Sequence, residues 1–364
     1  MAKWAQRGAL VVAGYFLARL VVTIVDYRQI IDEQRPVSEA NLDGPLLVKE
    51  AVDRINDNIV YAFTLAYYLD DFVNKINFKR EARIIHSKSD DFLLFTLING
   101  AYLNLTLNWL CNVASFRTSF HRKTLIVSLD AKVCKIIKMK WKEVTCMFMQ
   151  VSNDYNSPLD WGRQKYINLL TLRSQFLFDF FDFLPTNTFL YFFKFQLELP
   201  FILFETDAVW LRDPMKFFLN QTLLDDADIV VPVKGNPDHG LIYSFDPMIV
   251  YPTNASVMLM RELNKKLLNN PEIYDQDILD QLCRKQFFGL VCRQFSWNEV
   301  ADGKWFHLSE AERINLRPYI VNNNYYVGVD NKISRQALNK LWFLSLKNSC
   351  NLSKVRGLLR KYEG

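Results

Sequence analysis

The stretch LPFILFETDAVWLRDP, Leu199 to Pro214, sets a continuous apolar run against two carboxylates, Glu205 and Asp207, before returning to Val209, Trp210 and Leu211. Phe201 to Phe204 read as the buried part of a strand bounded by Pro200, and the acids stand at its carboxyl end, where the backbone leaves the core. Two acids one residue apart point to the same side of an extended backbone. That arrangement suits a divalent cation bridging a diphosphate, because Mg2+ or Mn2+ takes a few carboxylate oxygens and leaves room for substrate phosphates. The alternative is a pair of acids that only solvates a strand end, and the spacing by itself fits both.

Outward from this stretch, short apolar runs alternate with helix-length segments from about Phe92 onward. TLIVSL (Thr124 to Leu129), CMFMQV (Cys146 to Val151), ADIVVPV (Ala227 to Val233) and MIVYPT (Met248 to Thr253) read as strands. YINLLTLRSQFLFDFFDFL (Tyr166 to Leu184) has helix length and puts Phe176, Phe180 and Phe183 on one face. Strands without polar alternation, separated by helices, indicate an α/β sheet covered on both faces, and ligands of such sheets bind outside the carboxyl ends of the strands. A phosphatase of the haloacid-dehalogenase type also places acids at a strand end, but it needs an aspartate nucleophile first, where this chain has Glu205.

The composition narrows the classes. With 364 residues, half of them hydrophobic, the chain can bury a sizeable core, and its net charge of +5 is mild and scattered, which argues against a dedicated nucleic-acid surface. No internal repeat, low-complexity tract or long Pro/Gly linker interrupts it. The six cysteines, Cys111, Cys134, Cys146, Cys283, Cys292 and Cys350, show no CxxC or metal-finger spacing; disulfides and buried thiols both fit.

GALVVAGYFLARLVVTIV, Gly8 to Val25, follows Lys3 and Arg7 and precedes the polar DYRQIIDEQR. Arg19 at the bilayer centre would cost about 2.5 to 3.5 kcal/mol, while each of the ten strongly apolar residues contributes roughly 0.3 to 0.6, so insertion is marginally favourable. No small-x-small cleavage site follows, which favours an uncleaved anchor over a signal peptide. Lys3 and Arg7 then hold the amino terminus in the cytosol, and the chain beyond Tyr27 faces the secretory lumen. Sequons at Asn104, Asn220, Asn254 and Asn351 are compatible with that placement.

The ordered series of segments resembles the nucleotide-diphospho-sugar transferase domain of Golgi glycosyltransferases, a family that includes plant cell-wall arabinosyl- and xylosyltransferases. FTLINGAYLNLTLNWLCNVASF (Phe95 to Phe116) and TLIVSLDAKV are similar to its opening strand and helix, and YINLLTLRSQFLF followed by LFETDAVWLRDP to its helix and metal-site strand. YDQDILDQL (Tyr274 to Leu282) matches its acceptor-side segment, and VNNNYYVGVDNKISRQALNKLWF (Val321 to Phe343) its closing motif. The resemblance implies a GT-A-like nucleotide-binding fold, a mixed central sheet covered by helices.

Two departures accompany the resemblance. The family's Asp-x-Asp is here Glu205-Thr206-Asp207, with the metal-holding last acid kept, and the histidine that the family places before its paired asparagines is here Asn322. The resemblance implies Asp207, Glu205 and Asn322 around Mn2+ or Mg2+, and Asp130, Arg173, Glu205, Asp207 and Lys332 around the donor. It implies Asp275 and Gln276 as the groups that orient the acceptor hydroxyl or shield the sugar's developing cationic carbon. Surface roles for Arg173 and Lys332, and an ordinary helix start capped by Asp275, are the alternatives. Trp210 and Tyr325 read as core residues, with an aromatic wall beside a sugar ring as the alternative.

The expected organisation is a cytosolic tail at 1–7, a transmembrane signal anchor at 8–25, a stem with leading helices at 26–80, a transferase domain at 81–346 and a C-terminal tail at 347–364. The expected protein is a single-pass type II protein of the Golgi or secretory-pathway membrane. It takes a nucleotide-diphosphate sugar and a glycan or glycoprotein acceptor, and has no nucleic-acid partner. A relative that keeps the fold and binds without transfer is the second expectation, motivated by Asn322.

Overall fold

Leu93–Ile98 forms β1, and its alternate residues separate cleanly: Leu94 and Ile98 enter one buried cluster while Leu93 and Phe95 enter another. That period of two is what a strand covered on both faces requires. The computed structural model describes residues 92–149, 158–159, 163–181, 200–218, 226–234, 242–270 and 272–362, with positions 78, 80–82 and 84–85 besides. These belong to one compact unit, Leu69–Gly364. The expected anchor at Gly8–Val25 lies outside the described residues, as does nearly all of the expected stem. Among the described residues no helix is long and apolar enough to cross a membrane.

In chain order β1 is followed by α1 (Leu103–Val113), β2 (Thr124–Ser128), α2 (Ala131–Lys140), β3 (Thr145–Phe148) and α3 (Gln164–Phe181). Next come β4 (Phe201–Leu203), β5 (Val209–Trp210), α4 (Met215–Phe218), β6 (Ile229–Pro232), β7 (Met248–Val250), α5 (Asn254–Asn269) and α6 (Asp275–Arg284). The chain closes with β8 (Cys292–Phe295), β9 (Val300–Ala301), α7 (Glu310–Leu316), β10 (Ile320–Val321), α8 (Val329–Leu338) and α9 (Leu352–Tyr362). The strand runs read from the sequence therefore form, each ending earlier than its run, with β3 starting one residue before Cys146.

Seven strands make one mixed sheet in the order β3-β2-β1-β4-β7-β6-β8, and β5-β10-β9 make a second, three-stranded sheet. The strands β1 to β4 pair in parallel, whereas β7 runs antiparallel to both β4 and β6. One face of the large sheet packs on α3, α5 and α6 through Leu177, Leu263 and Ile278, and the other on α1, α2 and α9 through Leu110, Ile137 and Val355. The expected mixed sheet covered by helices is thus present.

Helix starts follow local chemistry. Asp130 Oδ1 accepts from Lys132 N at 2.8 Å and caps α2, while Thr253 with Ser256 and Ser309 with Glu312 form capping boxes on α5 and α7. At α6 the cap is Tyr274, so Asp275 is the first helical residue, and the alternative of an ordinary helix start capped by Asp275 fails. Its carboxylate is drawn away to an arginine described below.

Residues 347–362, expected as part of a tail, pack onto the domain. Val355, Leu359 and Tyr362 of α9 are buried in the same cluster as Trp305, and Cys350 is bonded to Cys111 on α1. All six cysteines are paired, the other bonds being Cys134–Cys146 and Cys283–Cys292. The amphipathic spacing of α9 gives it an apolar stripe that only docking can bury.

Candidate active site

Register alone brings the acids together. Because β4 and β7 are antiparallel with Leu203 opposite Met248, the residue two past β4 faces the residue two before β7. Those residues are Glu205 and Asp246, and Asp246 Oδ1 accepts the Glu205 backbone N–H at 2.7 Å. In the small sheet Val209 lies opposite Val321, which sets Asp207 and Asn322 at the same end. The acids themselves lie beyond β4 in a turn, so they do not share the extended backbone expected from the sequence, and each takes a different cation.

Arg173 on α3 donates from Nη1 to Glu205 Oε1 at 2.9 Å and from Nη2 to Asp275 Oδ2, with its guanidinium 4.5 Å from the Phe245 ring centroid. Burial alone would lower its pKa, but Asp275 and Glu205 outweigh that and raise it, so the guanidinium is locked in its charged form. Burial would raise Glu205, and Arg173 with Lys332 reverse the effect to hold it below the usual carboxylate range. Lys332 on α8 donates to Asp207 Oδ2 and lies 3.3 Å from Tyr102 Oη. Burial disfavours its charge, yet Asp207, Tyr102 and Glu205 push its pKa well above the ordinary value. One turn on, Gln336 Nε2 donates to the Asp207 carbonyl at 2.6 Å, so i and i+4 on one helix face hold both ends of the same residue.

These groups line a cleft of ≈ 520 Å³ at the carboxyl end of β1 and β4, where open α/β sheets bind ligands. Arg173, Glu205, Asp207, Asp275, Gln276, Asn322 and Lys332 all face it. Buried Arg173 and partly buried Lys332 are held in ion pairs and are not surface cations. Asp130 is not among the lining residues, and its carboxylate caps α2. Trp210 is core; Tyr325 is 46% exposed and lines the cleft, so the core expectation fails for it. Its exposure follows from its place in the loop between β10 and α8.

Among the described residues no group of three or more His, Cys, Asp or Glu is arranged around a metal. The donors nevertheless fit an oxygen-ligated cation. Asn322 donates from Nδ2 to the Asp246 carbonyl at 2.5 Å, which fixes the amide, and leaves its buried Oδ1 without a hydrogen-bond partner among the described residues. An amide oxygen and the Asp207 carboxylate are hard ligands of the kind Mg2+ and Mn2+ accept, the remaining positions going to water and phosphate.

Three contributors escaped the sequence reading. Asp246 is crowded by Glu205 and Asp207, and burial followed by those two charges pushes its pKa well up. Asn108 and Asn112, four apart on α1, are buried: Asn108 accepts from Phe343 N at 2.6 Å, and Asn112 exchanges hydrogen bonds with the Trp210 backbone at 2.8 and 2.9 Å. The signal was visible as asparagines at four-residue spacing, Asn104, Asn108 and Asn112, in a Leu-rich helix, and as an Asp-Pro directly before an apolar strand.

The model of the nucleotide-diphospho-sugar transferase family matches residues 119–336. That is more than half of the chain, and the chain belongs to this family. Arabinosyltransferase XEG113 of Arabidopsis thaliana is 23% identical over 272 residues, spanning 68% of this chain and 39% of the relative. A UDP-D-xylose:L-fucose alpha-1,3-D-xylosyltransferase of the same plant is 22% identical over 275 residues, 68% of each chain. The solved galactosyltransferase LgtC, in complex with donor and acceptor sugar analogues, aligns over 75% of this chain and 97% of its own with 10% identity and a TM-score of 0.43.

Proposed function

We propose that this chain is a metal-assisted glycosyltransferase of GT-A type that moves a sugar from a nucleotide-diphosphate donor to a glycan or glycoprotein acceptor. The observation that carries the reading is a pair of cations held on carboxylates, Lys332 on Asp207 and Arg173 on Glu205 and Asp275, set at the strand ends of a cleft of ≈ 520 Å³. Departure of a nucleoside diphosphate concentrates negative charge, and fixed cations in the cleft stabilise it without reorganising. Lys332, freed from Asp207, faces that charge. Arg173 holds Glu205 and Asp275 in place. Asp207 and Asn322 hold the Mn2+ or Mg2+, which supplies Lewis-acid stabilisation of the leaving diphosphate. Gln276, beside Asp275 at the start of α6, orients the acceptor hydroxyl.

The secretory lumen is the proposed site of action, with Gly8 to Val25 as a type II anchor in a Golgi or secretory-pathway membrane. Three disulfides support an oxidising compartment, and the sequon residues Asn104, Asn254 and Asn351 are exposed. Asn322 favours a second reading, a relative that binds donor without transfer, because an amide binds Mn2+ more weakly than imidazole.

The test is a thermal-shift screen of nucleotide-diphosphate sugars with and without Mn2+. At least one donor raises the melting temperature, and chelation removes the shift. A panel without any shift sinks the donor site; a shift without turnover selects the second reading.

A further inference from the structure

We propose that Tyr325 and Tyr326 form an aromatic platform at the mouth of the cleft that binds the ring face of an acceptor saccharide; this rests on the donor-site reading above. Tyr325, Tyr326 and Val327 are consecutive, cleft-lining, and 46%, 45% and 49% exposed. Three adjacent apolar side chains left in water beside a charged site mark a binding surface more than a packing accident. Tyr325 also has a φ of +57°, a left-handed conformation that a bulky side chain adopts only when its surroundings impose it.

The surroundings do impose it. Arg335, buried, donates from Nε to Asn323 Oδ1 and from Nη2 to the Asn324 carbonyl, both at 2.7 Å. Its guanidinium is stacked between Phe306 and Tyr326, 4.4 and 4.6 Å from the two ring centroids. Asn324 Oδ1 accepts from Gly303 N at 2.5 Å, and the loop lies so close on Gly303 that a Cβ there would meet the Asn324 carbonyl oxygen at 2.0 Å. Lys304 stands 5.8 Å from the Tyr325 centroid. Each ring is thus backed by a cation and remains nearly half exposed.

A rigid ring pair with polar neighbours suits a saccharide, whose C–H face is apolar while its hydroxyls seek donors and acceptors at the rim. Exposed Lys304 and cleft-lining Asn324 supply those. The nucleoside is the other planar occupant, but it belongs over the carboxyl ends of β1 and β4 in the large sheet, where the strand order reverses. The tyrosine loop instead leaves β10 of the small sheet and rests on the turn after β9, which leaves it to the acceptor.

The experiment uses the full chain, a printed array of pentose- and hexose-containing oligosaccharides as probe, and UDP and GDP titrated by calorimetry in parallel. Tyr325→Ala and Tyr326→Ala are each expected to weaken binding to the glycans that wild type retains by about tenfold or more, with nucleotide affinity unchanged. Tyr326→Phe keeps the ring and retains binding, and Phe288→Ala, which removes a 68% exposed aromatic away from the cleft, changes nothing. The proposal is overturned if both alanine variants bind glycans as wild type does, if they lose nucleotide affinity to the same degree, or if wild type retains no glycan at all. Loss of glycan binding in the variants of a protein that binds neither nucleotide would keep the platform and remove the donor site.

Discussion

Lys332 donates to Asp207 across 125 residues of sequence, and the pair is shut away from solvent, with the aspartate side chain 3% and the lysine side chain 13% exposed. The ammonium therefore sits on the carboxylate that a divalent cation would take. On the proposed reading a metal ion and the lysine would compete for Asp207, and a diphosphate would relieve the competition by giving Lys332 a second anion.

Lys332→Met is expected to bind Mn2+ about tenfold tighter in the absence of nucleotide, since a rival worth about 1.4 kcal/mol is gone. The same variant binds UDP more weakly. Calorimetry of Mn2+ with and without UDP reads both; equal Mn2+ affinity in variant and wild type would show that Asp207 is not the shared anion.

Asp246→Asn keeps the acceptor for the Glu205 N–H and removes a charge from the crowd of acids. The folded pKa of Asp246 is raised above its unfolded value near 3.9, first by burial and then by Glu205 and Asp207. A raised carboxyl binds more protons folded than unfolded, so its contribution is complete below about pH 3.9 and is lost as pH rises through the folded pKa. Melting temperatures of metal-free protein should show the variant gaining on wild type from about pH 4 upward. A constant difference across pH would contradict the assignment.

Arg173→Met leaves Glu205 and Asp275 facing one another without their common cation. Truncating one partner of a buried pair costs about 3–5 kcal/mol, so denaturant midpoints should fall sharply. Restoring a large part of that loss with Asp275→Asn in the same chain would confirm that the cost is electrostatic.

Asn322→Ala removes the buried oxygen and strands the Asp246 carbonyl that its amide served. Stability is expected to drop by about 1–3 kcal/mol, with Mn2+ affinity falling in the same variant. Asn322→His tightens Mn2+ by about tenfold, the nitrogen being the better ligand. Identical Mn2+ affinity in all three proteins would remove position 322 from the metal.

The strands were legible because each is a short apolar run bounded by turn residues, and Glu205 with Asp207 were legible because acids rarely end such a run without cause. Asp246 was not, since only the antiparallel return of β7 brings it to Glu205, and pairing direction is not written in a three-residue strand. Arg173 and Lys332 could be read as cations near the site but not as buried ones, because burial depends on carboxylates 32, 102 and 125 residues away. The C-terminal helix had the spacing of an amphipathic element; what it lacked in the sequence was a visible surface to cover.

The bond between Cys111 and Cys350 closes a ring of chain across a separation of 239 residues, and every strand from β2 to β10 lies within it. A protease that cuts one exposed loop inside the ring opens the circle without releasing a fragment. Such a nicked molecule would migrate as one species on a gel without reductant and as two with it. The central sheet can thus survive a cut backbone as a single covalent body for as long as its surroundings remain oxidising, and transfer to a reducing compartment would turn the same cut into separation.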